Sequence, residues 1–192
     1  MTALFARIIA LLFLIALSPV LLVLWIACVF SDGFPVLFRQ DRAGRKGVPF
    51  GLIKFRTMRD TRDEKGKLLA DQQHVTGLGK FLRRSRMDEL PGLINIVRGD
   101  LAWVGPRPLL PWTIQELGER GRKRCSVKPG LTGWSQVNGN TLLTLDQKVA
   151  LDLWYIENRN MLLDLRILAL TVLMVIGGEK IRANSAQDRR SL

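Results

Sequence analysis

The stretch Ile8–Phe30, IIALLFLIALSPVLLVLWIACVF, contains 23 residues and no charged side chain. As a helix it would be roughly 35 Å long, enough to cross a hydrocarbon core of roughly 30 Å. It is too long for the apolar segment of a secretory signal peptide, and no small-residue cleavage motif precedes Ser31. The stretch therefore predicts a membrane anchor near the start of the chain.

Ser18 and Pro19 lie at the middle of this stretch. Proline donates no backbone hydrogen bond and its ring presses on the preceding turn, so we expect a kink there. The Ser18 hydroxyl is placed to satisfy a carbonyl that the kink frees. Two half-helices of about 15–17 Å could enter and leave one leaflet, but a kinked helix could also span the bilayer. The residues alone leave both paths open.

The 192-residue chain is strongly basic, with 29 lysines and arginines against 17 aspartates and glutamates, and a formal net charge of +12. A hydrophobic fraction of 47% excludes a disordered basic tail. One histidine and two distant cysteines exclude a zinc site of usual spacing, so a metal here would need carboxylate ligands. Only Arg7 precedes the anchor, whereas basic residues are dense after it, which predicts a cytoplasmic domain by the positive-inside rule.

Local patterns predict an anchor over residues 1–31 and a mostly helical α/β domain with a few short strands over residues 32–192. Strands are predicted at Phe34–Phe38 and Phe50–Phe55. Helices are predicted over Leu78–Arg86, Asp88–Val97, Thr113–Arg124 and Leu145–Asn158, with loops or turns over Thr61–His74, Gly105–Pro111 and Gly130–Gly139. The apolar stretch Ile167–Gly178 is too short to span a bilayer, and predicts a buried or interfacial helix.

The densest group of charged residues is RRSRMDELP, from Arg83 to Pro91. Adjacent side chains diverge by about 100° on a helix, so Asp88 and Glu89 cannot face each other within a regular helix. At a helix start both could reach one anionic substrate: one ionised carboxylate could act as a nucleophile, and its partner could hold Mg²⁺ beside substrate phosphates. Arg83 and its neighbours would hold the phosphate. The alternative is that Asp88 caps the helix and Glu89 complements its dipole.

Four further residues are candidates for contact with an anionic substrate. Arg107 lies between two prolines, which either present its guanidinium fork at low entropic cost or form a rigid turn with a solvated arginine. Lys54 and Arg56 alternate along a predicted strand and share one face, although that face could simply be solvated. Asp152 lies among apolar neighbours. It would form an ion pair with a basic residue or bind metal, unless it occupies an exposed helix position.

Several short motifs follow one another along the chain. They are Phe38-Arg39-Gln40-Asp41-Arg42-Ala43-Gly44, Lys54-Phe55-Arg56-Thr57-Met58, Asp88-Glu89-Leu90-Pro91, Gly99-Asp100, Val104-Gly105-Pro106-Arg107-Pro108-Leu109, Pro129-Gly130-Leu131-Thr132-Gly133-Trp134 and Gln136-Val137-Asn138-Gly139. Each motif is weak alone, but so many in this order are highly specific. From the anchor to about Gly178, the chain resembles the bacterial sugar transferases, the monotopic polyprenyl-phosphate phosphoglycosyl transferases that begin glycan assembly.

The resemblance implies a re-entrant helix-break-helix anchor, broken at Ser18 and Pro19, and a catalytic domain on the cytoplasmic face of the bacterial inner membrane. The implied partners are a UDP-sugar donor, a polyprenyl (undecaprenyl) phosphate acceptor and membrane lipids. We expect no nucleic acid partner, and a homodimer is compatible with the sequence. The length is similar to the minimal catalytic form of the family.

The resemblance also implies a chemistry. Asp88 attacks the β-phosphorus of the UDP-sugar, UMP leaves, and polyprenyl phosphate then takes the phosphosugar from the aspartyl intermediate. Glu89 would be the ligand of the Mg²⁺ cofactor. Lys54, Arg107 and Asp152 match positions that look essential in the family.

Two residues depart from the family pattern. Asn140 stands where many relatives have an arginine, which bears on recognition of the donor nucleotide, and Arg86 stands where a small polar residue is usual. The motifs identify neither the sugar nor the glycan, whether exopolysaccharide, capsule, O-antigen or glycoprotein. The basic charge also suggests a second hypothesis, a non-enzymatic, membrane-tethered protein that binds anionic lipid or nucleic acid. Ordered Gly/Pro turns and paired carboxylates favour the enzyme.

Overall fold

The computed structural model describes residues 3–58 and 75–177, and the loop predicted over Thr61–His74 lies outside these residues. The helices are α1 (Ala3–Asp32), α2 (Gly77–Ser85), α3 (Leu93–Arg98), α4 (Pro111–Glu116), α5 (Gly118–Arg124), α6 (Trp134–Val137), α7 (Leu145–Asn158) and α8 (Met161–Gly177). The strands are β1 (Leu37–Ala43), β2 (Pro49–Phe55), β3 (Ala102–Val104) and β4 (Gly130–Thr132), and 3-10 turns cover Arg45–Gly47, Met87–Gly92 and Asn140–Leu142. The prediction of a mostly helical α/β protein with a few short strands is confirmed.

The apolar segment forms one 30-residue helix, α1, which continues through the predicted break. Pro19 has no amide to donate to the Ile15 carbonyl four residues earlier. The Ser18 hydroxyl donates a hydrogen bond to that carbonyl over 2.7 Å. The carbonyl that proline frees is therefore satisfied within the helix, as the sequence predicts.

Both halves of α1 pack against the rest of the protein. Ala10, which is 0% exposed, lies in a core cluster with residues of α3, and Cys28, 1% exposed, lies in a second cluster with residues of β2 and α2. Near the first end, the Trp103 indole donates a hydrogen bond of 3.0 Å to the Ala6 carbonyl. At the other end, the Arg56 guanidinium donates to the carbonyls of Asp32 and Gly33. The helix is thus fixed to the domain at both ends.

The outer surface of α1 is apolar and exposed. Its exposed large side chains are Leu4, Phe5, Ile8, Leu11, Leu12, Phe13, Ile15, Val20, Leu22, Val23, Trp25, Ile26 and Phe30. Within the described part of the chain, α1 alone is long and apolar enough to cross a membrane. The last helix, α8, buries Ile167 and exposes Leu162, Leu165, Val172 and Leu173. Such large apolar surfaces are typical of membrane association.

Strands β1 and β2 form an antiparallel hairpin that supplies one wall of the candidate site. Cross-strand pairing places the side chains of Phe38, Gln40, Arg42, Leu52 and Lys54 on the same face. The second strand lies where the sequence predicts it. The first prediction, Phe34–Phe38, is wrong in its bounds, because Pro35 has no amide for a ladder and the polar residues after Phe38 alternate between the two faces of the hairpin.

Two other local predictions need correction. The helix predicted over Thr113–Arg124 is two helices, α4 and α5, because Gly118 has φ +56° and interrupts the helical path. The loop predicted over Gly130–Gly139 instead contains β4, which pairs in parallel with β3, and the short buried helix α6. The predicted helix over Asp88–Val97 is a 3-10 turn followed by α3, and the prediction of α7 matches its bounds.

Candidate active site

A pocket opens between the β1–β2 hairpin, the Met87–Gly92 turn, the loop after β3, and β4. Its charged lining residues are Arg42, Lys54, Glu89 and Arg107. Its other lining residues are Leu52, Ile53, Leu101, Pro108, Gly130 and Leu131. Three of the residues predicted as site residues, Lys54, Glu89 and Arg107, are therefore brought together from three distant segments.

The turn that carries Asp88 and Glu89 begins where α2 ends. Arg86 adopts a left-handed conformation with φ +60°, which closes α2 and redirects the chain into the 3-10 turn. Arg86 makes no side-chain capping bond, and Asp88 lies inside the turn rather than at its cap position. The capping role considered for Asp88 is therefore absent. Asp88 is 8% exposed, and its Oδ1 atom has no hydrogen-bond partner in the part of the chain that the structure describes.

The environment of Asp88 disfavours its ionised form. Burial, together with the negative charge of Glu89, raises the pKa of Asp88 from 3.8 to about 6. Lys54, Arg86 and Arg107 oppose the shift, since their positive charges favour the carboxylate. At neutral pH the side chain is thus ionised but poorly solvated, which is the state expected of an anionic nucleophile.

Glu89 is held by two arginines. Arg107 Nη2 donates to Glu89 Oε1 over 2.6 Å, and Arg86 Nη1 lies 3.8 Å from the same oxygen. Burial opposes ionisation of Glu89, but the charge and hydrogen bond of Arg107, assisted by Arg86 and Lys54, hold its pKa below the usual value. The two adjacent carboxylates are therefore shifted in opposite directions, and Glu89 is the one that remains firmly ionised.

Lys54 and Arg42 supply the remaining positive charge of the pocket. Burial lowers the pKa of Lys54, as do Arg42 and Arg107, while Asp88 and Glu89 raise it. The Lys54 ammonium lies 5.4 Å from the centre of the Phe38 ring, a cation–π contact. Sequence reasoning did not single out Arg42. Only the register of β1 with β2 shows that Arg42 and Lys54 lie on the same face of the hairpin.

A buried amide side chain on α3 holds that helix against β2. Asn95 is 0% exposed; its Nδ2 donates to the Gly51 carbonyl over 2.9 Å, and its Oδ1 accepts from the Ile53 amide over 3.0 Å. Nδ2 also donates to Asp100 over 3.1 Å. The side chain thus takes the place of a third strand beside β2, next to Lys54. No sequence pattern indicated this role.

Asp152 does not belong to the lining of the pocket. It is 0% exposed and accepts hydrogen bonds from Arg124 Nε at 2.8 Å and Nη2 at 2.6 Å. Arg124 also donates to the backbone carbonyl of Arg107. Burial raises the pKa of Asp152, and Arg124 opposes that shift. The sequence predicted either an ion pair with a basic residue or metal binding for Asp152, and the structure shows the ion pair with Arg124.

Two predicted phosphate ligands lie elsewhere. Arg56 follows the end of β2, so the strand alternation that would align it with Lys54 no longer applies, and its guanidinium binds the end of α1. Arg83 is exposed on α2 and donates from Nε to the Thr57 hydroxyl over 2.9 Å. Asn140, the departure noted from the family pattern, is buried with φ +42° and does not line the pocket.

The carboxylates of the site suit Mg²⁺ only when a substrate supplies the remaining ligands. Residues 3–58 and 75–177 contain no group of three or more side chains that could hold a metal by themselves. Glu89 nevertheless presents an ionised carboxylate at the pocket, with Asp88 adjacent. Magnesium commonly binds one or two carboxylates, substrate phosphates and water, so these residues fit such an ion.

Comparison with known proteins gives a consistent result. The sequence model described as bacterial sugar transferase matches residues 1–178. An uncharacterized sugar transferase, EpsL, of Bacillus subtilis is 45% identical over 174 residues, covering 90% of this chain and 86% of the relative. A UDP-glucose:undecaprenyl-phosphate glucose-1-phosphate transferase of Escherichia coli is 39% identical, covering 86% and 38%. An undecaprenyl-phosphate galactose phosphotransferase of Salmonella typhimurium is 32% identical, covering 85% and 38%. The chain thus spans less than half the length of the last two relatives.

Proposed function

Because this chain belongs to the bacterial sugar transferase family, we propose that it moves a sugar 1-phosphate from a UDP-sugar to polyprenyl phosphate. The names of two relatives specify undecaprenyl phosphate as acceptor, and one of these names specifies UDP-glucose as donor. The observation that carries the proposal is the buried Asp88 carboxylate, with an unbonded oxygen, beside a cluster of fixed cations. Such an arrangement favours a covalent transfer over simple binding of polyanions.

In the first step, an Asp88 oxygen attacks the β-phosphorus of the UDP-sugar. The bond between this phosphorus and the oxygen that bridges to the α-phosphate breaks, and UMP leaves with that bonding pair. The product on the enzyme is a mixed anhydride of the Asp88 carboxylate and the sugar phosphate. No general base is needed, because the carboxylate already carries the attacking electron pair.

In the second step, a phosphate oxygen of the polyprenyl phosphate attacks the same phosphorus. The bond from Asp88 to phosphorus breaks, the carboxylate regains its electron pair, and a polyprenyl diphosphate sugar leaves. The lipid acceptor requires the reaction to take place at the membrane surface. Both steps bring one anion against another, so positive charge beside the phosphates is essential.

Lys54 and Arg107 are the residues placed to supply that charge. Arg107 is fixed twice, since its side chain binds Glu89 and its backbone carbonyl is held by Arg124, the partner of Asp152. Asp152 would then act as a positioning residue for the Arg107 loop. A Mg²⁺ ion held by Glu89 would neutralise further charge on the diphosphate when bound.

We propose that α1 enters and leaves the bilayer from the cytoplasmic side of the inner membrane. Its contacts with the domain extend from Ala10 to Cys28, about 27 Å along a helix. A helix that crossed the bilayer directly would draw the polar domain into the hydrocarbon over that length. Contacts at both ends instead support a path that returns to the same face, with the pocket at the lipid boundary.

The decisive experiment measures UMP release by the purified full-length protein in nanodiscs, over a panel of UDP-sugars with undecaprenyl phosphate and Mg²⁺. We expect one donor to give turnover, and the Asp88→Asn variant to have no measurable activity. Asp146→Asn is the matched control, because Asp146 is 80% exposed and distant in sequence from the pocket residues. Turnover by Asp88→Asn would remove Asp88 as the nucleophile.

A covalent step can be tested separately from turnover. Incubation with a UDP-sugar but no acceptor should add the mass of one sugar phosphate to the wild-type protein and none to Asp88→Asn. The adduct should disappear when polyprenyl phosphate is added. UMP release that requires both substrates together, with no adduct, would favour direct transfer instead.

A further inference from the structure

Arg42 is a largely buried guanidinium whose hydrogen bonds leave part of its donor capacity unused. Its Nη1 donates to the Pro108 carbonyl at 3.3 Å, and its Nη2 donates to Gln40 Oε1 at 2.6 Å. Its Nε is buried and has no hydrogen-bond partner within the described ranges 3–58 and 75–177. Among the described residues, no carboxylate lies within salt-bridge distance of Arg42. A buried arginine without a counter-ion is costly, because its charge has lost water and gained no anion.

The neighbours of Arg42 make this isolation more unfavourable. Lys54, on the same face of the hairpin, and Arg107, beside Pro108, are both close enough to interact electrostatically with Arg42. Burial, and then the charge of Arg107, lowers the pKa of Arg42, while Glu89 opposes the effect. Three cations therefore converge on one partly buried pocket.

Among the described residues that line the pocket, Arg42, Lys54 and Arg107 are cationic and Glu89 is anionic. Glu89 is already bound by Arg107 and faces Arg86. The convergence of Arg42 and Lys54 on this pocket, with N–H donors on Arg42 that its two hydrogen bonds leave over, is complementary to a phosphate or diphosphate group.

We propose that Arg42 is a substrate-binding residue that donates to a phosphate oxygen in this pocket. This inference rests on the proposed function and deepens it, since the phosphate belongs either to the UDP-sugar or to polyprenyl phosphate. Arg42 lines the pocket, and the Nη hydrogens that its two hydrogen bonds leave over would donate to such an oxygen. Lys54 reaches the same region from the opposite strand, but as a compact charge without the planar geometry.

The competing interpretation is that Arg42 only braces the loop after β3 through Pro108. In that case a neutral residue at position 42 should change thermal stability but leave ligand affinity unchanged. The bracing bond uses one Nη donor, and therefore explains neither the unpaired Nε nor the absence of an anionic partner. Direct measurement of ligand binding separates the two interpretations.

The experiment compares wild type with Arg42→Gln, Arg42→Lys and the control Arg39→Gln, all as full-length protein in nanodiscs. Arg39 lies on the same strand but on the opposite face, is exposed, and loses the same unit of charge. Two probes are titrated by calorimetry: UDP for the donor and farnesyl phosphate, a short polyprenyl phosphate, for the acceptor. UMP release is measured in parallel.

We expect Arg42→Gln to weaken the binding of at least one probe about ten- to a hundredfold, the usual effect of losing a charge-assisted hydrogen bond. Arg42→Lys should weaken it less, and Arg39→Gln should bind both probes as wild type does. A loss confined to UDP assigns Arg42 to the donor phosphates, and a loss confined to farnesyl phosphate assigns it to the acceptor. If Arg42→Gln lacks a cooperative melting transition, Arg42→Lys decides by the same comparison.

Equal affinities for both probes in the Arg42 variants and Arg39→Gln would overturn the proposal, even if wild type turns over normally. If wild type binds UDP through Arg42 but releases UMP from none of the donors, the proposed function fails while the phosphate site stands. If wild type binds neither probe but releases UMP, the phosphate site at Arg42 fails while the proposed function stands, and if it also releases no UMP, both fail.

Discussion

Replacing Asp88 with asparagine should stabilise the protein at neutral pH while it abolishes activity. Asp88 is buried, its Oδ1 has no hydrogen-bond partner, and its pKa is raised from 3.8 to about 6. An ionised carboxylate in this position is therefore less stable in the folded protein than in the unfolded chain. Asparagine has nearly the same shape and carries no charge, so the variant removes that penalty.

The magnitude follows from the pKa difference. One tenfold change in proton affinity corresponds to about 1.4 kcal/mol, so the step from 3.8 to about 6 corresponds to about 3 kcal/mol. The sign follows from linkage. As the pH rises, Asp88 loses its proton in the unfolded chain before it does so in the folded protein, so the free energy of unfolding falls between about pH 4 and about pH 6. Above that range the full penalty applies, and Asp88→Asn should gain up to about 3 kcal/mol there.

The assay is thermal unfolding followed by tryptophan fluorescence, in detergent with a chelator so that no divalent ion offsets the charge. For a protein of this size, about 3 kcal/mol corresponds to a Tm increase of about 6–12 °C at pH 7. The increase should shrink as the pH approaches 4, where Asp88 is protonated in the fold. Asp146→Asn should show no such pH-dependent gain, since Asp146 is 80% exposed. A Tm for Asp88→Asn at or below that of wild type at pH 7 would refute the reasoning.

Other consequences of the structure can be measured independently. The acid limb of kcat/KM for UMP release should rise through about pH 6 as Asp88 ionises, and a rate independent of pH between 5 and 7 would contradict that role. Asp152→Ala should lower the free energy of unfolding by about 3–5 kcal/mol in urea titrations, because it leaves a buried arginine without its partner. Asn95→Ala should cost about 1–3 kcal/mol for each β2 backbone group left unpaired, and a loss below that range would argue against its role as a substitute strand. In cells that express a cysteine-free variant of the protein, Ala3→Cys should react with a cytoplasmic thiol reagent as readily as Gln115→Cys in the domain. Labelling of Ala3→Cys only by a reagent applied outside the cell would exclude the re-entrant path.

Local physics was sufficient to predict several parts of the structure from the sequence. The charge-free anchor, the role of Ser18 at a proline, and the bounds of α7 depend on residues close together in the chain. The Asp88–Glu89 pair was identified because two adjacent carboxylates directly after three arginines are chemically distinctive. The order of the short motifs along the chain then indicated the family, which composition and periodicity do not.

The parts that could not be predicted depend on contacts between distant segments. The importance of Arg42 requires the register of β1 with β2, and that of Asn95 requires α3 to lie against the edge of β2. Arg124 appeared as one more basic residue in a charged helix, although it is buried against Asp152. Arg56 was misplaced for the converse reason: strand alternation was extended one residue beyond the end of β2, where tertiary contacts set the side-chain direction.

The charge arrangement of the pocket links its stability to its function. An anionic nucleophile must approach an anionic phosphorus, so the enzyme has to hold positive charge before the substrate arrives. Holding Arg42 and Lys54 partly buried, with no salt bridge to either within residues 3–58 and 75–177, destabilises the empty protein, as does the desolvated Asp88. A bound diphosphate relieves the first cost, and covalent transfer to Asp88 relieves the second. UDP should therefore raise the Tm of the wild-type protein more than that of Arg42→Gln, and a bound ligand with no such difference would separate the cations from substrate binding.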